Sequence, residues 1–378
     1  MLDKLSEDWS GLKSIVIYGY GRRAARLIKS IARNFEITDI IDNNEKLVGT
    51  SYNGIYVHSF EEVKDKLAGK KVIVTTGGGS YFSIKEGLES IGMQEFRDFC
   101  RYEDFFVEWF WKNKRQVVLS ECFLCVTSRC TFKCKNCNQM MPYFTDKTHY
   151  TCSVDEVIET LDAFFSKVDF LMSMFIIGGE PLLHKDLPEI IERISDKYGN
   201  KVGYIQIITN ASLIPSESLM STIKKHNIDI RLSDYTFEIP YTKSFEEVKS
   251  ALNNAGIEYS VSKYEEWFDV GIPGKEEKQF TDINDIKAHT IACGPCHVIA
   301  EKKFFYCGTF YNAQKCGLAV LEKGDYIDLT EETSDAAKEK LLEYSLGKFV
   351  NGYISVCNYC FGKSENNKRI VRPAIQFK

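Results

Sequence analysis

Long hydrophobic runs and an excess of charge of one sign are both missing from this sequence. The longest apolar runs, such as residues 170–177, fall far short of the roughly 20 residues that a membrane helix needs. The 53 acidic and 48 basic residues leave a net charge of −5, which does not favour nucleic acid or an anionic membrane as a partner. Residues 1–9 are polar and acidic, unlike a targeting signal. We therefore expect a cytoplasmic protein.

The length and composition suit a globular protein with several domains. A chain of 378 residues favours two or three domains. Its hydrophobic content of 44% and charged content of 27% are ordinary for that class. Changes of pattern along the chain predict an α/β protein in three parts, which are residues 1–112, 113–290 and 291–378.

The first part alternates apolar strands with a helix. Strands are predicted at Ser14–Tyr18, Ile37–Ile41 and Lys71–Thr75, and a helix at Arg22–Asn34. This β-α-β order implies a parallel sheet.

A glycine turn follows the first strand. Gly19, Gly21 and Ala24 give G-x-G-x-x-A between a strand and a helix, as in dinucleotide-binding sites, and Asp42 ends the second strand, where it would meet a ribose hydroxyl. A second glycine loop, residues 76–80, suits phosphate. The segment resembles the Rossmann-like domains beside bacterial sugar-modifying enzymes, which implies a bound nucleotide or nucleotide-linked sugar. A docking domain without a ligand is the alternative.

The second part continues the alternation, and Ser or Asp residues open several of its helices as caps. The predicted strands are 117–126, 171–177, 204–209, 229–232 and 258–261. The predicted helices are 153–168, 187–198, 217–226 and 244–255. This order predicts a partial (β/α)6 TIM-type barrel, whose chemistry would lie after the carboxyl ends of the strands.

Thirteen cysteines are more than a cytoplasmic chain of this kind needs for packing, and in a reducing compartment they favour metal ligands or catalytic groups over disulfides. Cys122 and Cys125 lie within a predicted strand, where core packing is the better interpretation. Nine others form two groups: Cys130, Cys134 and Cys137, and then Cys293, Cys296, Cys307, Cys316, Cys357 and Cys360.

The first group has the spacing Cys-x3-Cys-x2-Cys directly after the first barrel strand. Three thiolates on a four-iron cluster leave one iron open for chemistry. The motif resembles the signature of the radical S-adenosylmethionine (SAM) superfamily. The resemblance implies a [4Fe–4S] cluster with SAM at Cys130, Cys134 and Cys137, and a reducing protein such as flavodoxin or ferredoxin as electron donor. A zinc site is the alternative.

Polar motifs follow the later barrel strands in order. Gly178-Gly179-Glu180 resembles the family's GGE motif, which implies contact with the SAM ammonium group. Thr209 and Asn210 end the next strand, and Ser233 ends the one after it. The resemblance implies that these three contact the ribose and carboxylate of SAM, and ordinary turn chemistry is the alternative.

The third part is rich in cysteine and has weak secondary-structure signals, chiefly a strand at 303–306 and one helix at 331–345. It resembles the SPASM and twitch extensions of radical SAM enzymes. The resemblance implies one auxiliary iron–sulfur cluster, of the [4Fe–4S] type, with Cys293 or Cys316 able to replace one of the preferred ligands Cys296, Cys307, Cys357 and Cys360. A four-cysteine zinc ribbon is the alternative.

Together these features predict a radical SAM enzyme, of oxidoreductase or epimerase type, that abstracts hydrogen from a polar small molecule, with a sugar or nucleotide-linked sugar as the expected class. A peptide-modifying enzyme of the SPASM type remains an alternative. So do a zinc-stabilised binding protein without a redox role and a nicotinamide-dependent dehydrogenase built on the first part.

Overall fold

The chain folds into two compact units in the computed structural model, which describes residues 4–76, 79–271, 278–364 and 366–377. The first unit extends to Ser120 and includes Val168–Met172, and the second comprises Glu121–Lys167 and Ser173–Lys378. The second unit therefore contains both the predicted barrel and the cysteine-rich part. The three-domain division stays a prediction.

The first unit is an α/β sheet with the predicted parallel core. Its strands are β1 Ser14–Tyr18, β2 Glu36–Ile41, β3 Ser51–Tyr52, β4 Ile55–His58, β5 Val72–Val74 and β6 Phe99–Arg101. Its helices are α1 Arg22–Ile31, α2 Phe60–Val63, α3 Gly79–Ser90 and α4 Tyr102–Lys114. The strand order is β3-β4-β2-β1-β5-β6, and β1 pairs in parallel with both β2 and β5. The order thus reverses at β1, where the glycine turn begins.

The second unit is built on a larger sheet whose first five strands follow the predicted order. These strands are β7 Val118–Cys125, β8 Phe170–Ile177, β9 Val202–Thr209, β10 Asp229–Asp234 and β11 Tyr259–Lys263. The helices between them are α5 Val154–Phe165, α6 Leu187–Tyr198, α7 Glu217–His226 and α8 Thr242–Asn254. Ser153 begins α5 with a capping box to Glu156, and Ser216 caps α7, as their sequence positions predicted.

The remaining elements extend the other edge of this sheet. They are β12 Trp267–Phe268, α9 Ile283–Cys293, β13 Val298–Ala300, β14 Lys303–Phe305, α10 Gly308–Lys315, β15 Tyr326–Asp328, α11 Asp335–Ser345 and β16 Ile370–Val371. The order in the described chain is β11-β10-β9-β8-β7-β13-β14-β15, with β13 parallel to β7. A sixth parallel strand is therefore present, but it flanks β7 instead of following β11.

The sequence did not predict two helices of the cysteine-rich region. Helix α9 crosses the predicted boundary at residue 290, and α10 directly follows Cys307. Helix α10 buries most of its residues, including Thr309, Tyr311 and Asn312. A helix buried on most sides lacks the polar face that makes helical periodicity visible in a sequence.

Candidate active site

The cysteine triplet lies in the loop that follows β7, at the carboxyl edge of the sheet. The Cys130 sulfur accepts hydrogen bonds from the backbone N–H of Phe132 (3.5 Å) and from Asn210 Nδ2 (3.7 Å). The Cys134 sulfur accepts one from Gln376 Nε2 (3.2 Å). Donors directed at sulfur are what a thiolate bound to a metal needs.

The three sulfurs share one poorly solvated environment. Burial raises the pKa of all three thiols, that of Cys134 to about 11. Charge on Glu180, Cys137 and Cys134 raises the pKa of Cys130 further. The protein alone therefore disfavours three thiolates here. A bound metal cluster would reverse that preference, because metal ligation requires the deprotonated form.

The two glycines of the GGE motif fit against the triplet loop with no room for side chains. A Cβ on Gly178 would lie 2.4 Å from the carbonyl oxygen of Thr127. A Cβ on Gly179 would lie 2.3 Å from the carbonyl oxygen of Arg129 and 2.8 Å from Cys130 Cβ. Backbone N–H groups of Gly179 and Glu180 donate to the Thr127 and Arg129 carbonyls, at 2.8 Å each. The loop after β8 thus holds the loop that carries Cys130.

Glu180 is fully buried and joins three loops. Its Oε1 accepts hydrogen bonds from Thr209 Oγ1 (2.7 Å) and the Leu182 N–H (3.0 Å), and its Oε2 accepts one from the Asn210 N–H (2.8 Å). Burial raises the pKa of this carboxyl to about 7, although these donors act in the opposite direction. A cation bound next to Glu180 would favour its ionised form.

Asn210 connects the same group of residues to the triplet. Besides its bond to the Cys130 sulfur, Asn210 Nδ2 donates to Thr131 Oγ1 at 2.9 Å. Ser233, buried at the end of β10, is reached through Tyr241, whose hydroxyl oxygen lies 3.0 Å from the Asn210 carbonyl and 3.3 Å from the Ser233 carbonyl. The predicted residues Gly178, Gly179, Glu180, Thr209, Asn210 and Ser233 therefore form one continuous site with the triplet.

Tyr241 and Tyr235 also belong to this site, although no sequence motif identified them. Burial raises the pKa of Tyr235, and charge on Cys137 and Cys134 raises it further. Both tyrosines pack with Phe132, Ile239 and Trp267 around Cys134. Their only sequence signal is their position shortly after β10.

A second group of cysteines surrounds a small cavity. Cys293 and Gly294 line it at the end of α9, and Cys307 lines it at the start of α10. Cys357 and Cys360 complete the sulfur lining. Burial raises the pKa of three of these thiols, that of Cys360 to about 12. Four cysteines around one cavity match the donor set of an iron–sulfur cluster. Among the described residues, no three cysteine sulfurs all lie within 4.8 Å of one another, as a single zinc ion would require.

Cys296 and Cys316, two of the other cysteines considered, do not line this cavity. The backbone of Cys296 is held in a bridge with Cys307, and its thiol contributes to the raised pKa of Cys125. The Cys316 thiol donates to the Ala313 carbonyl at 3.4 Å and packs against Met140 and Val270. Cys293, and not Cys296, therefore lines the cavity with the other three preferred residues, while Cys296 lies next to the cavity and interacts electrostatically with Cys307 and Lys363.

A lysine beside this second group of cysteines affects the charge state of their thiols. The backbone N–H of Lys363 donates to the Cys293 sulfur at 3.3 Å. Burial lowers the pKa of the Lys363 ammonium group, but charge on the neighbouring thiols, Cys296 foremost, raises it by more. A positive charge beside several sulfurs favours their thiolate forms.

In the first unit, Asp42 secures the glycine turn. Its Oδ2 accepts a hydrogen bond from the Tyr20 N–H (2.6 Å), and its Oδ1 accepts one from the Asn44 N–H (2.8 Å). Gly19 has φ +103°, and a Cβ there would lie 2.3 Å from Thr76 Cγ2. Gly21 directly precedes α1, and a Cβ there would meet no atom within 4 Å. Of the second glycine loop, residues 77 and 78 lie outside the described residues.

Comparison with protein families assigns a class to this site. Residues 124–275 match the family model described as "Radical SAM superfamily", and residues 11–97 match "C2185-like, N-terminal". The chain therefore carries a radical SAM domain over residues 124–275. Its cofactors are accordingly a [4Fe–4S] cluster with SAM, and the additional cysteines support an auxiliary iron–sulfur cluster. Within the described residues, no helix has the length and hydropathy needed to cross a membrane.

Individual relatives are similar over limited regions. GTP 3',8-cyclase 1 of Mycobacterium tuberculosis is 32% identical over 112 residues, which is 27% of this chain and 29% of the relative. GTP 3',8-cyclase of Campylobacter lari is 26% identical over 167 residues, 42% of this chain and 48% of the relative. This chain thus spans less than half the length of either relative. The structure of BtrN in complex with AdoMet and 2-DOIA has a TM-score of 0.42 at 14% identity, covering 67% of this chain and 98% of BtrN.

Proposed function

We propose that this protein is a cytoplasmic radical SAM enzyme that abstracts hydrogen from an anionic small molecule, with nucleotide-linked sugars as the preferred class. The observation that carries the proposal is the continuous site formed by the triplet, the GGE glycines and Asn210. When bound and reduced, the cluster would supply the electron that cleaves SAM to methionine and a 5′-deoxyadenosyl radical. An external reducing protein such as flavodoxin or ferredoxin would deliver that electron.

The residues around the triplet have the chemistry to hold SAM. A carboxylate offers about four acceptor positions, and Glu180 uses three of them within the chain. The remaining position on Oε2 would accept a hydrogen bond from the SAM ammonium group, whose charge would keep Glu180 ionised. Thr209 fixes the carboxylate, while Asn210 and Ser233 present polar groups at the next two strand ends.

Arg231 supports an anionic substrate. On β10, Ile230 and Leu232 are fully buried, so Arg231 and Ser233 point to the opposite face of the sheet. Arg231 pairs in register with Ile208, which packs on that face with Phe175. The Arg231 Nε is buried and makes no hydrogen bond among the described residues. A partly buried guanidinium with an unbonded Nε–H is suited to a carboxylate or phosphate.

Arg231 lies two residues before Ser233, the proposed SAM contact, on the same strand. Residues two apart on a strand are about 7 Å apart. Arg231 therefore lies that much deeper along β10 than Ser233, on the same face. The guanidinium and the proposed SAM contact at Ser233 are therefore neighbouring positions on one face of the sheet. The GTP cyclases named above act on a nucleotide, as their names state. This is consistent with the proposed substrate class.

The second cysteine group and the first unit also have proposed roles. Cys293, Cys307, Cys357 and Cys360 would hold the auxiliary cluster, which would accept the second electron if the reaction is a dehydrogenation. An epimerisation would begin with the same hydrogen abstraction. Gly19, Gly21 and Asp42 would hold the nucleotide portion of a ligand in the first unit.

Replacing Cys134 with alanine is expected to abolish 5′-deoxyadenosine formation from SAM and dithionite, because two thiolates do not retain the cluster. Cys122→Ala is the matched control, since this cysteine is buried on β7 outside both groups and should keep activity. Anaerobic chromatography of reconstituted protein measures the product. Normal cleavage by Cys134→Ala would refute the proposed function.

Replacing Arg231 with leucine is expected to raise the KM for the substrate about 10- to 100-fold, because one charge-assisted contact is lost. SAM cleavage without substrate should be unchanged. Arg231→Lys should recover part of the loss, and Arg193→Leu, at an exposed arginine, should have no effect.

The substrate class itself is tested by incubating the enzyme anaerobically with deuterated nucleoside diphosphate sugars and, in parallel, with synthetic peptides. Deuterium transfer from a sugar into 5′-deoxyadenosine supports the proposal. Transfer from a peptide alone would support the peptide-modifying alternative instead.

A further inference from the structure

The C-terminal segment lies along the loop that carries Cys134. The Lys135 N–H donates to the Ile375 carbonyl at 2.6 Å, and the Phe377 N–H donates to the Lys133 carbonyl at 2.8 Å. Cys134 and Gln376 thereby form an antiparallel bridge. The backbone of a segment about 240 residues away in sequence thus fixes the position of one proposed cluster ligand.

The Gln376 side chain is held in one orientation by its own hydrogen bonds. Its Oε1 accepts from the Lys133 N–H at 2.8 Å, and its Nε2 donates to the Ala374 carbonyl at 2.7 Å. Exchanging the amide oxygen and nitrogen would break both bonds. The second hydrogen of Nε2 is therefore available for the Cys134 sulfur, which lies 3.2 Å away.

The segment is anchored on both sides of this contact. Residues of β16 pair with β12, with Val371 opposite Trp267. Arg372 forms an ion pair with Glu238 at 2.5 Å. Ala374 is fully buried in the apolar group that contains Cys134 and Ile239. Gln376 is consequently presented to the sulfur by a packed segment.

We propose that Gln376 is a positioning residue that sets the reduction potential of the triplet cluster through its hydrogen bond to the Cys134 sulfur. The inference rests on the proposed role of Cys134 as a cluster ligand. One-electron reduction, by dithionite or the protein donor, adds negative charge that spreads over the ligand sulfurs. A directed N–H stabilises this charge and raises the potential. Without it, less of the cluster would be reduced at a given donor potential.

The test is a redox titration of the reconstituted holoprotein followed by electron paramagnetic resonance. The triplet cluster is identified by the response of its signal to SAM. In Gln376→Leu, its reduced-to-oxidised ratio at a fixed potential should fall by about tenfold, equivalent to a downward shift of about 59 mV for one electron. The midpoint of the auxiliary cluster should not change.

Gln376→Glu provides the second variant, because it retains the acceptor for Lys133 but places a carboxylate oxygen beside the sulfur. Its triplet midpoint should fall below that of Gln376→Leu. An unchanged midpoint in both variants at full iron content would overturn the inference. Retention of the SAM-responsive cluster by Cys134→Ala would instead refute the proposed ligand, so the two failures are distinguishable.

Discussion

Replacing Gly179 with alanine should abolish iron binding at the Cys130, Cys134 and Cys137 site. The added methyl carbon would lie 2.3 Å from the Arg129 carbonyl oxygen and 2.8 Å from Cys130 Cβ, and neither atom belongs to the end of a flexible side chain. Overpacking of this kind typically costs about 1–3 kcal/mol. Because the clash is with the loop that carries Cys130, we expect this loop to shift until the clash is relieved. The shift would move the Cys130 sulfur away from the other two sulfurs.

Iron and sulfide analysis of anaerobically reconstituted protein measures this effect. The variant should retain about half of the wild-type iron, held by the auxiliary site, and should form no 5′-deoxyadenosine. Gly21→Ala is the control, since Gly21 has φ −62° and a Cβ there meets nothing within 4 Å. Full iron content in Gly179→Ala would show that the triplet loop does not depend on this close packing.

The sequence predicted the elements that carry the triplet site because that site is assembled from strand ends. Strands β7 to β10 and helices α5 to α7 lie close to their predicted positions, and Glu180 after β8 bonds to Thr209 and Asn210 at the end of β9. This works because parallel strands joined by helices bring their carboxyl ends to one edge, so that order along the chain implies proximity.

The parts that the sequence could not predict depend on contacts without a local pattern. Gln376 reaches Cys134 from the far end of the chain, and an isolated Gln in an irregular segment carries no periodic signal. The sequence does not distinguish Arg231 from other strand residues. Its proposed role follows from its buried, unbonded Nε and from the face of the sheet on which it lies. Such roles follow from packing and desolvation, which depend on the tertiary structure.

The choice between Cys293 and Cys296 shows the same limit. Both belong to one Cys-x2-Cys pair, and spacing does not distinguish them. In the structure, Cys293 ends helix α9 and lines the cavity with Cys307, Cys357 and Cys360. The backbone of Cys296 is instead bonded on both sides, its N–H donating to the Tyr306 carbonyl and its carbonyl accepting from the Gly308 N–H.

Substitution of Cys293 with alanine should therefore remove the auxiliary cluster, whereas Cys296→Ala should retain it. SAM would complete the cluster at the triplet, whereas no such ligand is proposed to replace a lost thiolate in the auxiliary cavity, so in the Cys293 variant the iron content should fall from about eight to about four atoms per chain. SAM cleavage by dithionite should persist, because the triplet is intact, while turnover of substrate should cease. Iron analysis, electron paramagnetic resonance and product assays check these outcomes on the two variants in parallel. Loss of the cluster in Cys296→Ala with retention in Cys293→Ala would restore the ligand set favoured by the sequence, and it would mean that binding the cluster turns the Cys296 side chain into the cavity.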